Sequence, residues 1–131
     1  MPIVLNKVER MNPFTRTKKW YLTTKSVSLV SESTAAKQIS DETTLNRKEA
    51  EMALAQFEKV LIANLLASNS VKMSDWGSFH LTCKSTSADT KEELTAHHIK
   101  RVNIRFTPGK ALKEAIAKAL FVFAEDLTAK S

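Results

Sequence analysis

The sequence predicts an α+β fold, and three features of it carry that prediction. Phe79, Leu81 and Cys83 alternate with His80, Thr82 and Lys84, and Val102, Ile104 and Phe106 alternate with Arg101, Asn103 and Arg105. Both runs have the period of two expected of strands with one apolar and one polar face. Ahead of them, Ala50, Ala53, Leu54, Phe57, Val60, Leu61 and Leu65 recur at helical spacing. The only two glycines, Gly77 and Gly109, bracket the alternating runs.

Taken in order, Ile3 to Arg10 and Lys18 to Lys25 are rich in strand-favouring residues, with Asn12-Pro13 as the turn signal between them. They predict an N-terminal β-hairpin. From Ser28, taken as an N-cap, Leu29, Ala36 and Ile39 fall at helical spacing and predict a first, short helix. Asn46 followed three residues on by Glu49 matches a capping box, so a second helix starts there. Ile62 and Leu66 widen its apolar stripe, as in a helix packed on more than one side, often against a partner subunit.

Asn69 is the expected helix stop, and Gly77 the tight turn that leads into the first alternating strand. Ser85 to Ile99 lacks apolar periodicity and reads as a protruding arm or long loop between the two strands. Pro108-Gly109 precedes a last helix, in which Leu112, Ile116, Ala119, Leu120, Phe123 and Leu127 share a side. The expectation is one domain, 1–131, comprising an N-terminal β-extension (1–27), a helical part (28–69), sheet and arm (71–107) and a C-terminal helix (108–127).

The 131 residues include 20 Lys and Arg against 14 Asp and Glu, a net charge of +6. Residues 1–25 hold six basic side chains and one acidic, whereas 26–70 hold four and six. Such a balance favours polyanionic partners without specifying a fold. No apolar run approaches the roughly 18–20 residues of a spanning helix, so no membrane role and a cytoplasmic location are expected. Cys83 is the single cysteine, which excludes an intrachain disulfide. It lacks the CxxC partner of a zinc site, and His97-His98, as neighbours on a strand, would point to opposite faces. With no phosphate loop, nucleophile elbow or paired carboxylates, neither an enzyme nor a cofactor, metal or small-molecule substrate is expected.

If the apolar faces of the two strands cover helices, His80, Lys84, Arg101 and Arg105 project together from the other face as a cationic surface. Phosphates are attracted to such a surface through counterion release. A solvated sheet face protected against edge pairing has the same composition. Lys110 and Lys113 open the last helix, where backbone amides also favour phosphate oxygens; plain solvent-facing lysines would have the same spacing. Trp20 and Trp76 suit packing better than base stacking.

Asp75-Trp76-Gly77-Ser78-Phe79 resembles the Gly-Phe-Gly-Thr-Phe type turn of the bacterial histone-like HU and integration-host-factor family. Phe106 to Ala115 (FTPGKALKEA) resembles the segment with which that family returns from its arm into its last helix. The 26 residues between Phe79 and Phe106 match the length of a family arm. The resemblance covers roughly Ser28 to Ala119; residues 1–27 resemble the extension of an HU-related branch.

It implies an HU-like homodimer of two N-terminal helices, an antiparallel sheet with a protruding β-arm, and a C-terminal helix, binding double-stranded DNA mainly through the phosphate backbone and groove deformation. Carried over position by position, Lys110 and Lys113 would be phosphate contacts on the last helix. Lys84, Lys100, Arg101 and Arg105 would line the saddle and the arm base. A nucleoid-associated, DNA-condensing role follows from the same resemblance. The arm tip departs from the family pattern: Ser87 to Leu94 holds no proline, and Asp89, Glu92 and Glu93 stand where the family has a basic Arg-Asn-Pro type tip. That departure supports an alternative, a protein-interaction or assembly module on the dimeric scaffold that has lost DNA bending.

Overall fold

The computed structural model describes residues 2–128, which divide into two compact units, one formed by the chain up to Ser31 with the segment from Ala115 onward, the other by Glu32–Glu114.

In the first unit the expected hairpin forms from β1 (Ile3–Met11) and β2 (Lys18–Thr24), antiparallel and in register from Leu5 opposite Thr24 to Met11 opposite Lys18. A third strand, β6 (Phe121–Phe123), pairs parallel with Ile3–Leu5 of β1, giving the order β2-β1-β6. This corrects the C-terminal helix expected over 108–127. The helix that begins at Lys110 stops at Ala117, and a separate helix, α4 (Ala124–Thr128), starts only after β6. Phe121-Val122-Phe123 is an aromatic and β-branched run, and the edge of β1 supplies a ladder for its backbone groups, an outcome that overrides the local helical spacing. Lys7 of β1 fixes α4 to this sheet. Its Nζ donates to Glu125 Oε1 at 2.7 Å and lies 4.7 Å from the centre of the Phe123 ring. The Glu125 hydrogen bond, with the carboxylate's charge behind it, raises the Lys7 pKa above its ordinary value.

The second unit begins with α1 (Glu32–Glu42) and α2 (Arg47–Leu66). Helix α1 starts three residues later than Ser28 as N-cap would set it. The intervening Leu29 is 94% exposed, and Val27 and Val30 on either side of it are β-branched, so this segment gains no buried face by becoming helical. Helix α2 starts as expected. Asn46 Oδ1 accepts from the Glu49 amide at 2.9 Å and Glu49 Oε1 accepts from the Asn46 amide at 3.2 Å, a complete capping box.

The end of α2 is a Schellman motif. Ser68 takes a left-handed φ of 66°, its amide donates to Leu65 O, and the Asn69 amide donates to Asn64 O. Ala36 of α1 and Ala50 and Leu65 of α2 are buried, while Leu54, Phe57 and Leu61 are half-buried on the same stripe; Ala53 and Val60 are exposed.

A three-stranded antiparallel sheet follows, built from β3 (Val71–Met73), β4 (Gly77–Ser85) and β5 (Ile99–Pro108) in the order β3-β4-β5. Phe79 stands opposite Phe106, Leu81 opposite Ile104 and Cys83 opposite Val102, so the apolar residues of both runs occupy one face. That face is uncovered in a single chain: Leu81, Val102, Ile104 and Phe106 are all exposed, as are Met52, Val60, Ile62 and Leu66 of α2.

Candidate nucleic-acid interface

The polar face of the β4–β5 ladder is built by the same register. His80 stands opposite Arg105, Thr82 opposite Asn103, and Lys84 opposite Arg101. Like charges directly across a ladder repel, yet Lys84 and Arg101 face each other with no carboxylate between them. Among the described residues none of Lys84, Lys100, Arg101 and Arg105 enters an ion pair. Among the described residues nothing pairs with their charge, on a face whose neighbours Thr82 and Asn103 are neutral and half-buried.

Lys100 is placed differently from the other three. The register steps from Lys84 opposite Arg101 to Ser85 opposite Ile99, so Lys100 is the extra, unpaired residue of a β-bulge. Period-two alternation read from the sequence has no signal for such a step.

Beyond the bulge, residues 86–98 form no strand. Two short 3-10 turns, Lys91–Glu93 and Ala96–His98, fold the segment, and the Thr86 amide donates to His98 O at 2.8 Å across its neck. The strand geometry expected of His97-His98 is therefore replaced by a turn, in which His98 Nδ1 accepts from the Thr95 amide at 3.1 Å. Asp89, Glu92, Glu93 and Leu94 are exposed.

The other two predicted cations open α3 (Lys110–Ala117). Its start is clamped to the β3–β4 turn by two backbone hydrogen bonds, Gly109 N to Trp76 O at 2.8 Å and Ala111 N to Asp75 O at 2.9 Å. The Ala111 amide is thus already occupied by a carbonyl, which leaves fewer of the helix's first amides for an anion than a bare N-terminus offers. Lys110 is a further step removed, because its Nζ lies 3.9 Å from Glu114 Oε1 in an exposed i,i+4 pair. Lys113 is exposed and enters no ion pair among the described residues.

Both glycines belong to this clamp, and neither has a positive φ. A Cβ on Gly109 would lie 2.2 Å from Asp75 O and 3.0 Å from the Gly77 amide nitrogen; one on Gly77 would lie 2.3 Å from the Phe106 ring. Closeness of approach, rather than backbone conformation, favours glycine at both sites, most strictly at 109, where the crowding atoms are backbone. Trp76, Phe79 and Phe106 pack together beneath the turn with ring centres 5.1–6.2 Å apart. Trp76 is accordingly a packing residue, whereas Trp20 on β2 is 68% exposed. Among the described residues no group of three or more His, Cys, Asp or Glu is placed to hold a metal ion, and no helix is long and apolar enough to cross a membrane.

Residues 1–122 match the family model HU-HIG, described as an HU domain fused to a wHTH, Ig or glycine-rich motif. The fold is similar to that of a protein from Bacteroides vulgatus ATCC 8482 described as a candidate bacterial DNA-binding protein, with a TM-score of 0.66 and 14% identity over 95% of this chain; the chain spans only 49% of that protein. It is also similar to HU from Anabaena, in a cocrystal structure with DNA, with a TM-score of 0.54 and 14% identity over 67% of this chain and 98% of the other. No curated protein matches the sequence.

Proposed function

Because the chain belongs to the family of HU domains fused to wHTH, Ig or glycine-rich motifs, we propose that it is a non-enzymatic, histone-like protein that binds duplex DNA through the phosphate backbone with low sequence specificity. The observation that carries this is the Lys84–Arg101 cross-strand pair, with Arg105 on the same face and no acidic partner among the described residues. Two like charges held opposite each other cost stability in the free protein and gain from a polyanion laid across them. In this reading Lys84, Arg101 and Arg105 line the saddle, Lys100 contacts the backbone at the arm base, and Lys113 and then Lys110 reach phosphates from α3. The acidic turn at Lys91–Glu93 would repel phosphates, so the arm contributes at its base, and DNA bending is weaker than an apolar-tipped basic arm would give. The whole of 1–131 acts as one cytoplasmic, nucleoid-associated DNA-binding module.

The functional unit is a homodimer. The apolar face of β4–β5 and the outer apolar residues of α2 are exposed in one chain, and apolar patches of that kind on a folded protein mark an interface. A second copy supplies an identical face.

Titration of a duplex at two salt concentrations tests the function. Affinity should fall steeply with salt, and Arg101→Glu combined with Lys110→Glu should weaken binding to all sequences alike while leaving the dimer intact. A duplex unshifted by micromolar protein at low salt refutes DNA binding. It would leave the acidic arm turn as support for the second reading, an assembly module on the same dimeric scaffold.

A further inference from the structure

The tip of the β1–β2 hairpin holds none of the residues assigned to the saddle, and its construction is unlike that of an ordinary solvent loop. Phe14 is 95% exposed at the extreme of the turn, although the backbone that carries it is firmly tied. The Asn12 amide donates to Thr17 O at 2.9 Å and the Arg16 amide to Asn12 O at 2.8 Å. Asn12 Oδ1 accepts from the Phe14 amide at 2.9 Å, and the Thr15 and Thr17 hydroxyls meet at 2.7 Å. Pro13 fixes one further backbone torsion. A large aromatic ring is therefore presented to solvent on a turn that has few ways to fold it back.

The strands and turn that carry that ring are rich in cations. Arg10 stands directly opposite Lys19 in the ladder, a second like-charge pair without a carboxylate between its members. Arg16 lies in the turn itself at a φ of 57°. Among the described residues, Lys18 alone of the cations near the tip has an ion-pair partner, Glu9 at 3.8 Å. Arg10, Phe14 and Tyr21 line one open depression beside Pro13, so cation and aromatic ring face the same space.

We propose that this hairpin tip is a second DNA-contact site, in which Phe14 stacks against the base pairs of a duplex while Arg10, Arg16 and Lys19 hold the flanking phosphates. The proposal rests on the DNA-binding function argued above and adds to it a site of different chemistry. Apolar side chains on rigid tips unstack base steps, aromatic faces accept any base, and the three cations supply the complementary charge. A protein partner would be served by the exposed ring as well, but the uncompensated Arg10–Lys19 pair would oppose all except an acidic one.

The test uses the full chain and a duplex carrying 2-aminopurine, whose emission rises when a neighbouring base step opens. Wild-type protein should raise the emission. Phe14→Ala, which removes a solvent-exposed ring and should leave the far-ultraviolet dichroism unchanged, should abolish the rise and weaken binding by roughly 5- to 150-fold, the range expected when one base is no longer stacked. Arg16→Gln with Lys19→Gln should lower the salt slope by about 1.8 per chain, at about 0.9 for each phosphate no longer neutralised. Wild-type binding that both variants reproduce, with no emission change in any of them, overturns the hairpin site and leaves the saddle standing. No binding by wild type removes both. Loss of self-association in Phe14→Ala with unchanged DNA binding assigns the tip to a protein interface and likewise overturns the proposal.

Discussion

Replacing Gly109 with alanine should destabilise the protein more than replacing Gly77, although the two glycines belong to the same clamp. The new methyl at position 109 would lie 2.2 Å from Asp75 O and 2.7 Å from Asp75 C, both of them backbone. Relief requires the turn to move off the helix by more than an ångström, which breaks the hydrogen bonds from Gly109 N to Trp76 O and from Ala111 N to Asp75 O. Each contributes about 0.5–1.5 kcal/mol net, and removing a glycine from the unfolded chain returns about 0.4–1 kcal/mol. The expected loss is about 1–2 kcal/mol, and more if the freed carbonyls stay dry. At position 77 the nearest atoms, 2.3 and 2.5 Å away, are the far end of the Phe106 ring, which is 42% exposed and free to swing outward. The loss there is part of the Phe79–Phe106 ring interaction, about 0.5–1.5 kcal/mol, against the same unfolded-state gain. Gly77→Ala should fall within about 1 kcal/mol of wild type. Urea unfolding followed by far-ultraviolet dichroism, at one protein concentration for all three proteins, measures the order. A Gly109→Ala variant as stable as wild type, or less damaging than Gly77→Ala, would show that the clamp is not held by backbone contact.

Three further outcomes follow from local geometry. Ser68→Gly should stabilise α2 by about 0.5–1 kcal/mol, because a left-handed φ costs an L-residue about 1–2 kcal/mol and glycine returns part of that through the unfolded chain; calorimetry would show the higher midpoint. Ile104→Lys is a test of the dimer: on an exposed position of a monomer it should change stability by no more than about 0.5 kcal/mol, whereas on a covered face it should abolish the dimer in sedimentation velocity. The Lys7–Glu125 pair contributes an alkaline dependence. Since Glu125 raises the Lys7 pKa above 10.5, the contribution is full below that pH and is lost as pH rises through the higher folded value. The stability difference between wild type and Glu125→Gln should stay constant to pH 10.5 and shrink above it.

Where the sequence was legible, a local rule and the tertiary structure agreed. Asn46 and Glu49 define a helix start within four residues, and the alternation from Phe79 and from Val102 defines faces whatever the partner strand. The departures arise from distant partners. Leu120, Phe123 and Leu127 fall at helical spacing, but Phe121–Phe123 finds its ladder in Ile3–Leu5, more than a hundred residues earlier, and no local window contains that information. Ser68 adopts a conformation usually given to glycine, so although Asn69 marks the stop of α2, the left-handed residue before it carries no compositional signal. Gly77 and Gly109 were conspicuous as a pair, but the reason for them, close approach by the Phe106 ring at one and by the Asp75 backbone at the other, appears only when the turn and the helix start meet. Among the candidate DNA contacts, strand pairing brings Lys84 and Arg101 together, whereas the bulge at Lys100 has no period to betray it.

That bulge also separates what is fixed from what is free to change. Shifting a strand by one residue exchanges its two faces, so a deletion anywhere from Arg101 to Thr107 would turn arginines toward the apolar side and Ile104 and Phe106 toward the polar one. A change of length between Thr86 and His98 stops at the bulge, where one unpaired residue already absorbs a register step. The acidic, proline-free sequence of that loop can therefore be exchanged wholesale for a basic or an apolar one while the cationic ladder beneath it keeps every pairing. The loop is the natural place to graft new recognition onto this scaffold.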